Sequence, residues 1–298
     1  RFWINWGHYH RYSPQVSIAG NASSMVDDSV FLLVQRGWQV KNTITNGLFY
    51  DNRDNIFNTT RGMRAEFSHD FVGNILGGQD HFMRYYPQVD FFWWIMDYTF
   101  FNLIRKNVLR RWRIVQEVRG SATFTQPTKP AYGSQDNALN PYVEIQDRLY
   151  LGGYESLRGW TLFDSFYTGN ATTWRNGGSH RMLFGSELRI PVEPSLFWLV
   201  LFFDAGALYQ NLNEYSFSST TPSATISAYN AAELNKQNFS LSYFRYSWGF
   251  GFRLQIPILP LRIYLAKRLI WDDSAGWFRD HPNQSGFEFV FGIGDRRF

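Results

Sequence analysis

Arg158 is the residue of this chain whose surroundings most clearly predict an interaction. It lies in a glycine-rich segment at 149–160, and lone acids follow on two strand-like segments, Glu187 and then Asp204. A guanidinium enclosed with carboxylates forms charge-assisted, often bidentate hydrogen bonds. The pattern therefore predicts a loop that folds back so that Arg158 reaches Glu187, Asp204 or both. The residues of this loop motif are Gly152, Gly153, Ser156, Leu157, Arg158, Gly159 and Trp160.

Catalytic and metal-binding patterns are weak in this sequence. The six histidines are scattered, and His8 and His10, which share one face of a predicted strand, have no evident third ligand. No serine lies in the G-x-S-x-G context of a hydrolase nucleophile. The glycines at 249 and 251 fall inside a strand pattern, which argues against a phosphate-binding loop. We expect no enzyme activity, no metal site and no cofactor.

The elements that must position Arg158 are predicted to be strands. At 244–256 every even residue is apolar and every odd residue is polar, glycine or arginine. A period of two indicates a strand with two different faces, whereas a helix needs apolar residues three and four apart. The 12 Trp, 17 Tyr and 28 Phe suit the aromatic girdles of a membrane barrel. The longest apolar run, 196–203, is far below the ~20 residues of a spanning helix.

The alternation predicts an all-β fold, a transmembrane antiparallel β-barrel that forms one domain over 1–298. Long polar stretches at 125–180, 211–242 and 271–284 contrast with short proline turns at 191–195 and 257–260, as in outer-membrane barrels. The link 97–112 is read as an extended turn with snorkelling cations, with a short amphipathic segment as the alternative. About ten strands are predicted, near 1–12, 39–51, 61–72, 81–96, 111–124, 181–191, 196–210, 243–257, 260–269 and 285–295.

Charge and cysteine content add little. The net charge of +4 is modest and no charged tail exists, so we expect no nucleic-acid partner. The absence of cysteine is compatible with a bacterial envelope protein but is weak evidence in a chain of this size. The first six residues read as the interior of a strand, so we expect a mature or partial chain.

Four segments, in order, resemble one family. The string G-G-Y-E-S-L-R-G-W at 152–160 resembles the (V/L)-R-G-(F/Y) loop of BamA-type barrels in the outer-membrane protein 85 superfamily. F-F-D-A-G at 202–206 resembles its F-x-D-x-G strand, and 247–265 its penultimate strand–turn–strand. Trp160 replaces Phe or Tyr, Thr59 and Leu259 replace Pro and Gly, and Phe298 is out of phase with the last strand. The remaining segment comes first in the chain. It resembles the family's D-x-R-D turn through Asp51, Arg53, Asp54 and Gly62.

The resemblance implies the C-terminal portion of a sixteen-stranded barrel that follows N-terminal POTRA modules. It implies insertion and folding of β-barrel proteins in the outer membrane through a weak seam between the first and last strands. The implied partners are outer-membrane lipids, unfolded barrel substrates and accessory lipoproteins. Gly286, Gly292 and Gly294 of the last strand fit a labile seam, although they could instead relieve crowding against the lumen loop.

Two alternative functions stay open. A secretion pore of the two-partner type would share the loop arginine but export a soluble protein. A passive porin or structural barrel would use the inward loop only to narrow a channel. The number of POTRA modules upstream separates these functions, since several favour assembly, two favour two-partner export and none favours a plain pore.

Overall fold

One antiparallel sheet of eleven strands makes up nearly all of the described structure, a computed structural model. It describes residues 2–13, 37–56, 58–101, 109–128, 147–161, 178–193, 196–209, 244–254, 261–272, 274–281 and 286–293. The strands are β1 (Phe2–Ser13), β2 (Gly37–Asp51), β3 (Gly62–Val72), β4 (Phe82–Phe101), β5 (Leu109–Pro127), β6 (His180–Glu193), β7 (Phe197–Tyr209), β8 (Arg245–Leu254), β9 (Leu261–Asp272), β10 (Trp277–Asp280) and β11 (Glu288–Ile293). A single helical turn, α1 (Gly153–Ser156), lies in the loop motif. Within these ranges no helix has both the length and the hydropathy of a membrane span.

The two faces of the sheet differ as the alternation predicts. On β7, Phe202 and Asp204 are buried on the inner face, while Leu201 is 48% exposed on the outer face. On β8, Ser247 points inward and is fully buried, and Phe250 is exposed outward. An apolar exposed face opposite a polar buried face is the reverse of a soluble sheet and is typical of a membrane barrel wall. The predicted fold class is confirmed.

The connections that leave one end of the sheet differ in length from those that leave the other end. Each strand from β1 to β9 pairs with its sequence neighbours. The connections at 14–36, 128–179 and 210–244 leave one end, here called the long-loop end. Those at 52–61, 194–196 and 255–260 leave the opposite, short-turn end. This is the asymmetry expected of an outer-membrane barrel.

The last strand corrects the prediction of ten strands. Instead of one strand at 285–295, two pieces pair with β9: β10 beside Leu269–Asp272 and β11 beside Leu261–Ala266. Asp272 caps the tight turn into β10 by accepting a hydrogen bond of 3.0 Å from the Ser274 amide. The predicted loop at 271–284 was wrong here because four residues, W-F-R-D, are too few to show an alternation.

Two strand ends also differ from the predicted ones. β6 continues through Pro191 to Glu193, where a turn was predicted, and the pairing with β7 shifts at this point. A proline lacks the N–H of a regular ladder and is tolerated at such irregularities. β4 and β5 extend to Phe101 and from Leu109 into the predicted link, of which 102–108 lies outside the described residues.

The sheet is not closed. In the part of the chain that the structure describes, β1 pairs only with β2, while β10 and β11 pair only with β9. The outer edges of β1 and β11 are therefore the two edges of this sheet.

The orientation of β7 can be tested with a charge on its outer face. Leu201→Arg should lower the free energy of unfolding by about 2–4 kcal/mol, because the guanidinium would lie in the hydrocarbon layer. Leu196→Arg, just before β7 at the short-turn end, should cost only about 0–1 kcal/mol because it can reach the headgroups. Urea unfolding of the full-length protein in lipid vesicles measures both. Equal losses would contradict the lipid-facing assignment.

Candidate functional site in the barrel lumen

The loop motif is held against the inner wall by its own backbone. Leu149 and Gly178 exchange two backbone hydrogen bonds of 2.7 and 2.8 Å, which tie the loop to the residues before β6. The amide of Gly153 donates to the carbonyl of Trp160 at 2.6 Å and closes the motif into a compact turn. The Ser156 hydroxyl oxygen accepts a hydrogen bond from the Gly152 amide at 2.8 Å. These hydrogen bonds fix the shape of the motif where it lies against the wall.

Apolar side chains of the motif anchor it to the barrel. Leu157 is fully buried and Trp160 is 2% exposed. The indole N–H of Trp160 donates to the carbonyl of Tyr246 on β8 at 2.9 Å. Trp160 therefore combines an apolar body with one hydrogen bond. The buried cluster consists of Leu149, Leu151, Leu157, Trp160, Leu183 and Leu208.

Arg158 lies between the two acids that the sequence singles out. Its Nε and Nη2 donate to Asp204 at 2.7 and 2.8 Å, a bidentate pair, and its Nη1 donates to Glu187 at 2.6 Å. All three residues are fully buried. This geometry agrees with the predicted pairing, while the functional role of the loop stays a prediction.

Two aromatic rings enclose the same guanidinium. Its Cζ lies 3.6 Å from the ring centroid of Phe202 on β7 and 4.8 Å from that of Tyr264 on β9. Stacking on an aromatic face adds roughly 0.5–2 kcal/mol when the cation is desolvated. The planar guanidinium can meet two carboxylates and two rings at once, which a lysine cannot do.

Gly159 permits this close approach. Its φ of +82° is in the left-handed region, and a Cβ there would lie 2.8 Å from the Cβ of Ala266 on β9. Any side chain at this position would force the loop or β9 to shift, directly beside Arg158. The predicted tight turns at Gly152 and Gly153 are also present, with φ of +120° and +83°.

A wider ion-pair network surrounds the pair, and the sequence did not predict it. Glu117 on β5 stands directly opposite Glu187 on β6 in the sheet register. Two facing carboxylates repel each other unless cations separate them. Arg253 is such a cation, since its Nη1 lies 3.4 Å from Glu187 and 3.8 Å from Glu117. Arg119 also pairs closely with Glu117. The signal was the E-x-R spacing of β5, which puts both side chains on the inner face.

The turn motif joins this network through an unexpected residue. Arg53 of the predicted turn motif forms a bidentate pair with Asp51 of its own turn at 2.9 and 2.7 Å. Arg189 on β6 instead reaches the turn, donating to the Thr59 carbonyl at 2.9 Å while its Nε lies 3.4 Å from Glu117. Arg189 therefore connects the short-turn end to the charges around the loop.

Asp54 organises the turn itself. Burial raises the pKa of its carboxyl, but hydrogen bonds outweigh this and hold the pKa below the ordinary 3.8. They come from the Thr60 hydroxyl and from the amides of Thr60, Arg61 and Asn55. Gly62 ends the turn with φ of +113°.

The glycines of the predicted seam strand have different surroundings. A Cβ on Gly292 would overlap the ring of Tyr154 in the loop motif, whereas a Cβ on Gly286 would meet nothing within 4 Å. Gly294 lies outside the described residues. At Gly292 the structure therefore supports the second interpretation of the glycines, relief of crowding against the lumen loop.

The fold and the site define a class of protein, a membrane β-barrel whose wall binds an inward loop through buried ion pairs. Residues 5–296 match the family model of the Omp85 superfamily domain. The chain therefore belongs to the Omp85 superfamily, as its four motifs predict. The comparison with curated proteins gave no match.

A solved structure shows the same fold. The chain is similar to the crystal structure of BamA from Haemophilus ducreyi lacking POTRA domains 1–3, with a TM-score of 0.55 and 16% identity. The match covers 98% of this chain and 51% of that one, so the chain spans about half the length of that chain, which itself lacks POTRA domains 1–3. Family and fold together point to the outer membrane.

Removing Arg158 tests the buried pair. Arg158→Ala should remove the one cation that contacts both buried carboxylates closely and cost about 3–5 kcal/mol of stability. Arg158→Lys should restore only part of this, because an ammonium cannot form the bidentate pair. Arg279→Ala is the matched control, since Arg279 is 60% exposed and its pair with Asp272 should contribute below about 1 kcal/mol. Equal losses for Arg158→Ala and Arg279→Ala, measured by urea unfolding, would contradict the assignment.

The Asp54 turn should respond to acid. Because the folded pKa is depressed, the turn gains stability from the ionised carboxylate above the ordinary pKa of 3.8 and loses it as pH falls through the lower folded value. The amide resonances of Thr60 and Arg61, followed by NMR, should shift with a midpoint below 3.8. Asp54→Ala should abolish that transition. A midpoint at or above 3.8 would show that the hydrogen bonds to Asp54 are not formed.

Proposed function

We propose that this chain is the barrel portion of a factor that inserts and folds β-barrel proteins in the outer membrane of a Gram-negative-type envelope. The superfamily membership supports a protein-insertion or secretion barrel. The finer assignment to assembly rests on the last strand. We propose a non-enzymatic mechanism that uses no nucleotide or cofactor.

The interrupted last strand is the observation that carries this proposal. β11 has 6 residues and β10 has 4, whereas the neighbouring β8 has 10 in one ladder with β9. Because the ladder of the last strand with β9 is split into pieces of 4 and 6 residue pairs, either piece can detach by itself and break fewer backbone hydrogen bonds than the unbroken ladder of 10 pairs between β8 and β9. A detached or opened edge presents unpaired N–H and C=O groups, which template the pairing of an incoming strand.

The proposed partners follow from the two surfaces of the sheet. Unfolded barrel chains supply strands that pair with an open edge, so that their own hydrogen bonding drives insertion. Outer-membrane lipids contact the apolar outer face, where Phe289 and Phe291 of β11 are 66% and 49% exposed. Accessory lipoproteins are proposed from the family resemblance alone.

The loop motif occupies part of the lumen in a fixed position. Leu157, Arg158 and Glu187 are fully buried, so the loop fills the space beside β6 and β7. This packing disfavours a passive porin, in which water would line the lumen beside the loop. A two-partner-type secretion pore is the second candidate, since it would share the loop arginine. Several POTRA modules upstream of residue 1 would favour assembly over export.

A disulfide across the seam tests the proposal. The chain contains no cysteine, so an engineered pair is unambiguous within it. Phe291→Cys, joined to a cysteine on the strand that faces β11 across the seam of the full-length barrel, should abolish insertion of client barrels into lipid vesicles. Reduction should restore it, because only strand separation is blocked.

The matched control places the same bond away from the seam. Leu201 and Phe250 face each other on β7 and β8, and both are exposed outward. Leu201→Cys with Phe250→Cys should leave insertion unchanged in the oxidised protein. Undiminished insertion with the seam disulfide formed would refute the assembly proposal.

A further inference from the structure

The loop motif contacts the last strand as well as the wall that holds Arg158. Tyr154 of α1 lies against Gly292 of β11 so closely that any Cβ on Gly292 would overlap its ring. Gly292 is buried on the inner face, and its backbone lies against the ring of Tyr154. The Tyr154 hydroxyl has no hydrogen-bond partner in the described structure, so the contact is made by the ring.

The same ring connects β11 to the Arg158 site. Tyr154 and Val290 of β11 both pack against one buried cluster, formed by Val200, Phe202, Tyr264 and Ala266. Tyr154 stacks on Tyr264 with ring centroids 6.5 Å apart and planes 24° apart. Phe202 and Tyr264 are the two rings that enclose Arg158. A shift of the loop would therefore move Tyr154, the loop side chain against which β11 packs.

A polar contact joins the same parts. Arg268 on β9 donates from Nε to the Gly159 carbonyl at 2.6 Å, and its Nη2 lies 3.4 Å from Glu288, the first residue of β11. The Glu288 side chain is 47% exposed, so this ion pair is weak in water. The ring of Tyr154 is partly buried against the cluster that encloses Arg158, so its contact with β11 is less exposed to water than this ion pair.

We propose that Tyr154 is a positioning residue that holds β11 in the sheet, and that docking of the loop through Arg158 and attachment of β11 are energetically coupled. The loop then stabilises β11 while it is docked, and undocking of the loop frees the strand. The use of this release for client insertion rests on the proposed function, whereas the coupling itself does not.

A double-mutant cycle in the full-length protein tests the contact. Gly292→Ala should push β11 from the ring and speed hydrogen exchange of the amides of residues 288–293 by about tenfold. Gly286→Ala is the matched control, because a Cβ at Gly286 would meet nothing within 4 Å. It should leave the exchange of these amides unchanged. In a Tyr154→Ala background, Gly292→Ala should change exchange by less than about twofold, because the overlap is gone. Lipid nanodiscs and mass spectrometry provide the measurement.

Two further variants separate positioning from general stability. Tyr154→Phe should behave as wild type, since the hydroxyl makes no hydrogen bond, while Tyr154→Ala should speed exchange in β11. Asp204→Asn, which weakens the docking of Arg158, should speed exchange in β11 but not in the β7–β8 ladder at its short-turn end. Full additivity of Tyr154→Ala and Gly292→Ala, or unchanged β11 exchange in Asp204→Asn, would overturn the coupling.

Client insertion, measured on the same variants, distinguishes this inference from the proposed function. Faster β11 exchange with altered insertion supports both. Faster β11 exchange with unchanged insertion supports the coupling and refutes its use in assembly. Unchanged β11 exchange in Gly292→Ala and Tyr154→Ala refutes the coupling, whatever the insertion activity.

Discussion

The structure depends on one buried cation held by two buried anions. Arg158, Asp204 and Glu187 are all fully buried, so each charge has lost its water and must be compensated by an opposite charge nearby. Arg158 meets both acids, and Glu187 also has Arg253 beside it. A buried ion pair contributes little net stability compared with apolar packing, but it tolerates no displacement of a partner. Its effect here is therefore specificity. It fixes one position of the loop relative to β6 and β7.

The inner face extends this constraint along the barrel. Glu117 and Glu187 face each other across β5 and β6, which requires cations between and around them. Arg119, Arg189 and Arg253 meet that requirement, and Arg189 also reaches the Thr59 carbonyl at the short-turn end. Arg189 thus links the turn, through the Thr59 carbonyl, to the charges around the loop motif. A mutation that displaces Thr59 would therefore disturb Arg189 and the charges around Arg158, although Thr59 and Arg158 are distant in sequence.

Local pattern made most of the fold and the centre of the site predictable. A period of two is visible in one strand without its partners, so β8 and the inward direction of Glu187 and Asp204 could be read directly. Cross-strand register is not visible in one strand, so the facing of Glu117 and Glu187, and with it the roles of Arg253 and Arg189, could not be predicted. β10 was missed because its four residues, which follow a turn capped by Asp272, are too few to show an alternation.

The last strand shows how a fixed loop and a weakly held strand can coexist in one lumen. Charges without access to water hold the loop, and their separation would cost several kcal/mol. β11 is held by a short ladder, one half-exposed ion pair, the partly buried Val290 and the Tyr154 ring that packs against Gly292. Glycine admits the ring but contributes no apolar side chain of its own, so the area buried there stays small. The sequence thus places its strongest interaction on the loop and a weaker one on the strand that the loop supports.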